Sequence, residues 1–341
     1  MGCKIYLKKG DRNNATTFYI DVIEKALKKA YHSVEYIDDI RQLDRADIVL
    51  VITMYALLDV WKLHLNQKVI YWWQGVLPEE LSYQVHHFTI RHRLRILFYT
   101  LLEFFLIHRA KLNIFVSDSM LEHYRKKYCY RKQNTFIMPC YNQHIAKNSF
   151  YDPQKYARPT FVYSGGMLPW QCVEESIILY KKVKEQCPQA TFTILTSGTE
   201  DAKRLVEKHA VKDVEIKCVP VSQLNEEHAK YKYGFLLRMD DVVNNVATPT
   251  KFNSYLAVGI IPVMSNVIGA YKPILSRMQY AVVVDNEKCL EQAVQQIIKI
   301  ERRGVVADDI YNEYKHIFDT YYHTESYISD LSDLFKAYSL P

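Results

Sequence analysis

The chain has 341 residues, 49% of them hydrophobic, and a formal net charge of +6. That length favours two domains, each with enough apolar side chains for a core of its own. The basic residues are interleaved with acidic ones except from Arg91 to Arg95, which argues against a dedicated nucleic-acid binder, and the seven scattered cysteines never form a C-x-x-C pair that would suggest a zinc or redox site.

Thiols of this kind read as reduced, in a cytoplasmic protein. The first residues, Met1-Gly2-Cys3-Lys4, lead straight into an apolar segment and lack the regions of a secretory signal. Short β-branched runs then alternate with segments of helical period. Strands are expected at 5–7, 34–37, 48–53 and 69–73, with a helix at 17–30. A long helix is expected over 81–110, followed by strands at 113–116 and 135–138 and a helix opening at Ser117-Asp118, either of which can cap it. The apolar run 96–107 is interrupted by Glu103 and is shorter than the ~20 residues of a membrane-spanning helix.

From 139 to 159 the sequence turns polar and loses periodicity, which marks a linker. The alternation restarts with strands at 160–163, 191–195, 214–219 and 234–237 and helices at 173–185 and 200–209, and the carboxyl end reads as almost wholly helical from 287 to 340. The expected fold class is α/β, with two doubly wound, Rossmann-like domains at 1–145 and 155–310 and a helical segment at 311–341 that packs across both.

Two groups of residues bear chemistry in the second half. Ser164-Gly165-Gly166 lies where a strand meets a helix, and glycines there let backbone N–H groups approach a diphosphate; a plain tight turn is the other reading. Arg238 ends a strand and Lys251 opens a helix after Pro249-Thr250, so two cations stand at strand ends, where ligands of open parallel sheets bind and where a leaving diphosphate needs positive charge. Ordinary solvated charges are the alternative, and both positions are expected to be reachable by solvent. Val219-Pro220-Val221, at the end of another strand, is placed to meet a nucleotide base.

Here the sequence resembles the family-four glycosyltransferases. The segment Pro249-Thr250-Lys251-Phe252-Asn253-Ser254-Tyr255-Leu256-Ala257-Val258-Gly259, followed by Ile261-Pro262-Val263, is similar to that family's donor-site signature, with Arg238 matching the arginine before it. Ser164 to Gly166 matches the turn that opens the family's second domain, Trp170-Gln171 the pair that often follows, and Tyr71-Trp72-Trp73-Gln74-Gly75-Val76-Leu77-Pro78-Glu79-Glu80 an interdomain loop of its polysaccharide-building members. The sequence departs from the pattern at Ser254, where the family has an acidic residue that binds the donor ribose, and the paired-glutamate arrangement is reduced to Asp240-Asp241.

The resemblance implies the GT-B fold and anomer-retaining transfer of a sugar from a nucleotide-diphosphate donor to a glycan or lipid-linked acceptor in cell-surface polysaccharide synthesis, with no metal or other cofactor. Arg238 and Lys251 would be the catalytic cations. Ser164, Gly165, Gly166, Trp170, Gln171, Val219, Val221, Thr250 and Ser254 would form the donor side. No Asp-x-Asp pair is present for a metal–diphosphate bridge.

On the acceptor side, Gln74 and Gly75 would shape the site and Glu79 or Glu80 would bind hydroxyls, although Pro78-Glu79-Glu80 also suits a helix start. His86 is a further candidate, as proton acceptor or sugar contact. Arg91-His92-Arg93-Leu94-Arg95 and the apolar run after it suit an interfacial helix on the anionic inner face of the cell membrane, or a helix sandwiched between a sheet and a neighbour. Two other functions stay open: a sugar-nucleotide-binding scaffold without activity, suggested by Ser254, and a nucleotide-sugar epimerase, which needs carboxylates and histidines poised at the sugar.

Overall fold

In the computed structural model, residues 2–13, 15–83, 89–285 and 290–339 are described. They form two compact units, the first made of Met1–Cys140, Asn245–Thr248 and His323–Pro341, the second of Tyr141–Asn244 and Pro249–Tyr322.

The first unit runs β1 (Cys3–Tyr6), α1 (Thr17–Ala30), β2 (Val34–Ile37), β3 (Ile48–Val51), α2 (Met54–Leu63), β4 (Lys68–Trp73), α3 (Leu77–Tyr83), α4 (Ile90–Arg109), β5 (Leu112–Phe115), α5 (Asp118–Tyr128) and β6 (Thr135–Ile137). Its six strands are all parallel, in the order β2-β1-β3-β4-β5-β6. A parallel sheet covered on both faces needs near-continuous apolar strands, and β3, β5 and all of β4 after Lys68 are buried. The one polar side chain inside β5, Asn113, accepts from Trp73 Nε1 at 2.9 Å and donates to the Ile107 carbonyl at 3.1 Å, so its burial leaves no group unpaired. Ser117 caps α5 by accepting from the Met120 N–H at 2.9 Å. The stretch expected as one helix over 81–110 contains the end of α3 and the whole of α4, and residues 84–88 lie outside the described residues.

The second unit runs β7 (Thr160–Ser164), α6 (Val173–Gln186), β8 (Thr191–Leu195), α7 (Thr199–Lys208), β9 (Val214–Lys217), α8 (Leu224–His228), β10 (Tyr233–Leu236), α9 (Val242–Val246), α10 (Thr250–Ala257), β11 (Ile261–Ser265), α11 (Lys272–Leu275), β12 (Val282–Val284), α12 (Glu291–Arg303) and α13 (Ala307–Thr320), with the last two residues of α9 counted in the first unit. The sheet order is β12-β11-β10-β7-β8-β9, again parallel throughout. Strand order reverses between β7 and β10, and such a switch point leaves a crevice outside the carboxyl ends of the two strands.

The segment grouped as one at 311–341 is divided between the units. α13 belongs to the second, whereas α14 (Thr324–Ser339) packs on α1 in the first, burying Ile328, Leu331 and Phe335.

Candidate functional site

The crevice of the second unit is a cavity of about 430 Å³, lined by the end of β7 and the residue after it (Ser164, Gly165), the end of β8 (Leu195) and the loop that follows (Thr196, Ser197), Cys218, Val219 and Val221 beyond β9, three residues of α8, Asn142 and Gln143, and Thr250, Lys251 and Ser254 of α10. None of these is acidic. Lys251 is the one Lys or Arg side chain among them.

The local geometry follows from one glycine and one helix start. Gly165 has φ +145°, a conformation that L side chains rarely adopt, and a Cβ there would stand 3.0 Å from Lys251 Nζ and 3.1 Å from Gln171 Oε1. Backbone and ammonium meet because no side chain intervenes. α10 begins at Thr250 with no side chain capping its first N–H groups.

Lys251 Nζ is 3.4 Å from Gln171 Oε1, and among the described residues neither Lys251 nor Arg238 forms an ion pair with a carboxylate. Burial, reinforced by the charge of Arg238, pushes the Lys251 pKa well down; burial also lowers that of Arg238. Arg238 differs from the expectation of a solvent-reachable side chain, being 6% exposed. It continues an interior strand, its backbone N–H donates to Ser265 Oγ and its guanidinium to the Leu237 carbonyl, each at 2.9 Å.

The structure gathers Ser164, Gly165, Val219, Val221, Thr250, Lys251 and Ser254 around one cavity, while Gly166, Trp170, Gln171 and Arg238 are not part of its lining. Gln171 is instead held by the Tyr163 hydroxyl, which donates to its Oε1 at 2.6 Å, and serves as the neighbour of Lys251. Ser254 Oγ donates back to the Thr250 carbonyl at 3.1 Å. Asp241 accepts from both the N–H and the Nδ2 of Asn244, each at 2.8 Å, and so closes a turn. No group of three or more His, Cys, Asp or Glu side chains that could hold a metal ion occurs among the described residues.

Two lining residues carry unused polar atoms that the sequence pattern did not single out. His228 is 1% exposed and neither of its ring nitrogens has a hydrogen-bond partner; Asn142 Oδ1 is likewise buried and unpaired. Burial, then repulsion from Lys251 and Lys155, lowers the His228 pKa to about 3, so the ring is neutral and offers one donor and one acceptor. Buried polar groups without partners are rare, and here they face an open cavity.

In the first unit a cavity of about 300 Å³ lies outside the ends of β3 and β4, lined by residues that include Thr53, Tyr71, Gln74, Gly75, Glu80 and Glu103. Gln74 Nε2 donates to the Ile52 carbonyl at 3.1 Å, and Glu80 Oε1 accepts from the Val76 N–H at 3.1 Å. Glu79 is turned away from this cavity, towards α5, where it meets His123 at 3.0 Å and Lys127 at 2.8 Å. Burial raises the Glu79 pKa, but these two partners outweigh it and the net shift is downward; Glu80 and Glu103 are raised, chiefly by burial. His86 lies outside the described residues.

Solved structures with this architecture are GT-B glycosyltransferases. Sucrose-phosphate synthase from Thermosynechococcus elongatus matches with a TM-score of 0.69 at 11% identity, over 98% of this chain and 98% of that one. WaaG, a glycosyltransferase involved in lipopolysaccharide biosynthesis, matches with a TM-score of 0.62 at 13% identity, over 98% and 99%. A variant of S. aureus TarM in complex with fondaparinux, α-GlcNAc-glycerol and UDP matches with a TM-score of 0.61 at 10% identity, over 85% of this chain and 55% of that one, so this chain spans about half the length of TarM. No family model matches the sequence, and no curated protein matches it. At such identities the likeness defines the fold, and the fold is GT-B.

Proposed function

We propose that the protein is a glycosyltransferase that moves a sugar from a nucleotide-diphosphate donor, with retention and without a metal, to a glycan or lipid-linked acceptor in cell-surface polysaccharide synthesis. One observation carries this reading: Arg238, buried, and Lys251, half-buried on the cavity wall, stand beside a cavity without acidic residues and, among the described residues, have no carboxylate partner. Unpaired buried cations are costly, and a diphosphate supplies the missing charge.

In this reading the diphosphate lies against Gly165 and the start of α10. Lys251 and Arg238 stabilise its charge as the glycosidic bond breaks, and the base lies towards Val219 and Val221. The cavity beside Gln74, Gly75 and Glu80 receives the acceptor. UDP is the first nucleotide to test, because TarM holds it in a solved complex.

The deciding experiment is thermal unfolding with a panel of nucleoside diphosphates and their sugars, with and without magnesium, because a ligand of the folded state raises the midpoint. A magnesium-independent rise with one nucleotide, followed by transfer to an acceptor extract, is the expected result. No rise with any nucleotide would refute the donor site. Ser254 favours one second reading, a nucleotide-sugar-binding scaffold, which would show the rise without turnover. The epimerase reading gains nothing from a cavity that no carboxylate lines.

A further inference from the structure

α4 has two unlike faces. One, with Tyr99, Leu102, Leu106 and Ile107, is buried in the first unit. The other carries Ile90, Leu94, Leu97, Phe98, Leu101 and Phe105, which are 80%, 60%, 53%, 49%, 50% and 50% exposed. At about 100° per residue these six fall within roughly 100° of the helix circumference, directly opposite the buried side. Single exposed apolar residues are ordinary, but a continuous stripe along a 20-residue helix marks a surface that something covers.

The charges on α4 say what covers it. Arg93 flanks one edge of the stripe and Arg91, Arg95 and Arg109 flank the other; all four are exposed and none forms an ion pair among the described residues. The only acidic side chain of the helix, Glu103, is 0% exposed. A second copy of this chain seated on the stripe would set arginines against arginines. An anionic lipid surface accepts both parts, with apolar side chains below the head groups and guanidinium groups among the phosphates. No helix among the described residues is long and apolar enough to cross a membrane, so the helix would lie in the plane of the surface.

We infer that the exposed face of α4 docks the protein on anionic membranes. This rests on the helix alone and is independent of the transferase reading, so the test uses no activity. The full chain is sedimented with vesicles of phosphatidylcholine containing phosphatidylglycerol, and with phosphatidylcholine alone. The chain should bind the anionic vesicles and bind the neutral ones at least roughly tenfold more weakly. Leu94→Ser/Leu101→Ser/Phe105→Ser should abolish binding to both, and Arg91→Gln/Arg93→Gln/Arg95→Gln should remove the preference for anionic lipid; all six positions are exposed, so both variants should unfold at the wild-type midpoint. Equal binding by wild type and both variants would overturn the inference, as would a wild-type dimer in solution that the serine variant converts to monomer.

Discussion

Lys251 Nζ stands 4.1 Å from the centroid of the Tyr163 ring and, among the described residues, forms no ion pair with a carboxylate. The ring face attracts the ammonium but supplies no full negative charge. Lys251→Met should therefore leave the unliganded protein as stable as wild type or about 1 kcal/mol more stable, while abolishing the rise in melting midpoint with UDP. Urea unfolding and a nucleotide titration of the same variant check both halves. A variant that keeps the nucleotide response would remove Lys251 from the site.

Arg238 should behave differently. Its stem packs in the sheet and its guanidinium satisfies the Leu237 carbonyl, so Arg238→Ala should cost roughly 1–3 kcal/mol of stability in addition to the nucleotide response. Chemical denaturation separates the two effects. A fully stable Arg238→Ala protein would show that the burial of this side chain contributes nothing.

His228 predicts a pH dependence. Its pKa is lowered from 6.5 to about 3 on folding, so between those values the unfolded chain binds the extra proton and stability falls as the pH falls. Below about 3 both states are protonated and this contribution to the slope ends. His228→Gln should flatten the decline by a few kcal/mol relative to wild type, measured by urea unfolding at a series of pH values. Parallel curves for the two proteins would rule out a buried neutral ring. If the ring also meets the nucleotide, His228→Ala should weaken UDP binding severalfold at neutral pH.

Asn253 is 0% exposed, and its Oδ1 accepts from the N–H groups of Asn142 and Gln143 at 3.0 and 2.8 Å. It thereby fixes one wall of the cavity without lining it. Asn253→Ala leaves those donors unpaired and should destabilise the protein by about 2–3 kcal/mol. An unchanged midpoint in differential scanning calorimetry would contradict that role.

The sheets were legible because parallel strands are buried on both faces. Runs such as Val69 to Trp73 or Thr191 to Leu195 have no polar alternation to confuse the period, and the strands they predict appear within a residue or two. α2 was not, since its apolar residues follow those of β3 with only Ile52 and Thr53 between, so no change of period marks the boundary; the Thr53 hydroxyl, accepting from the Ala56 N–H, is the signal that could have found it. β12 has three residues, too few for any pattern.

In the cavity, Gly165 and Lys251 were readable from position relative to strand ends, and Ser254 from the family signature it departs from. His228 and Asn142 were not, because lacking a hydrogen-bond partner is a property of the surroundings rather than of the residue. The burial of Arg238 was missed for a related reason: a charge at a strand end reads as solvated until the neighbouring strands are in place.

The position of α14 bears on how the chain is made. The first unit draws on both ends of the sequence, so during synthesis α1 emerges from the ribosome about three hundred residues before the helix that covers it. Until then the apolar side of α1 waits without its partner, while the second unit, whose sheet and helices are encoded without that interruption, can complete its own core first.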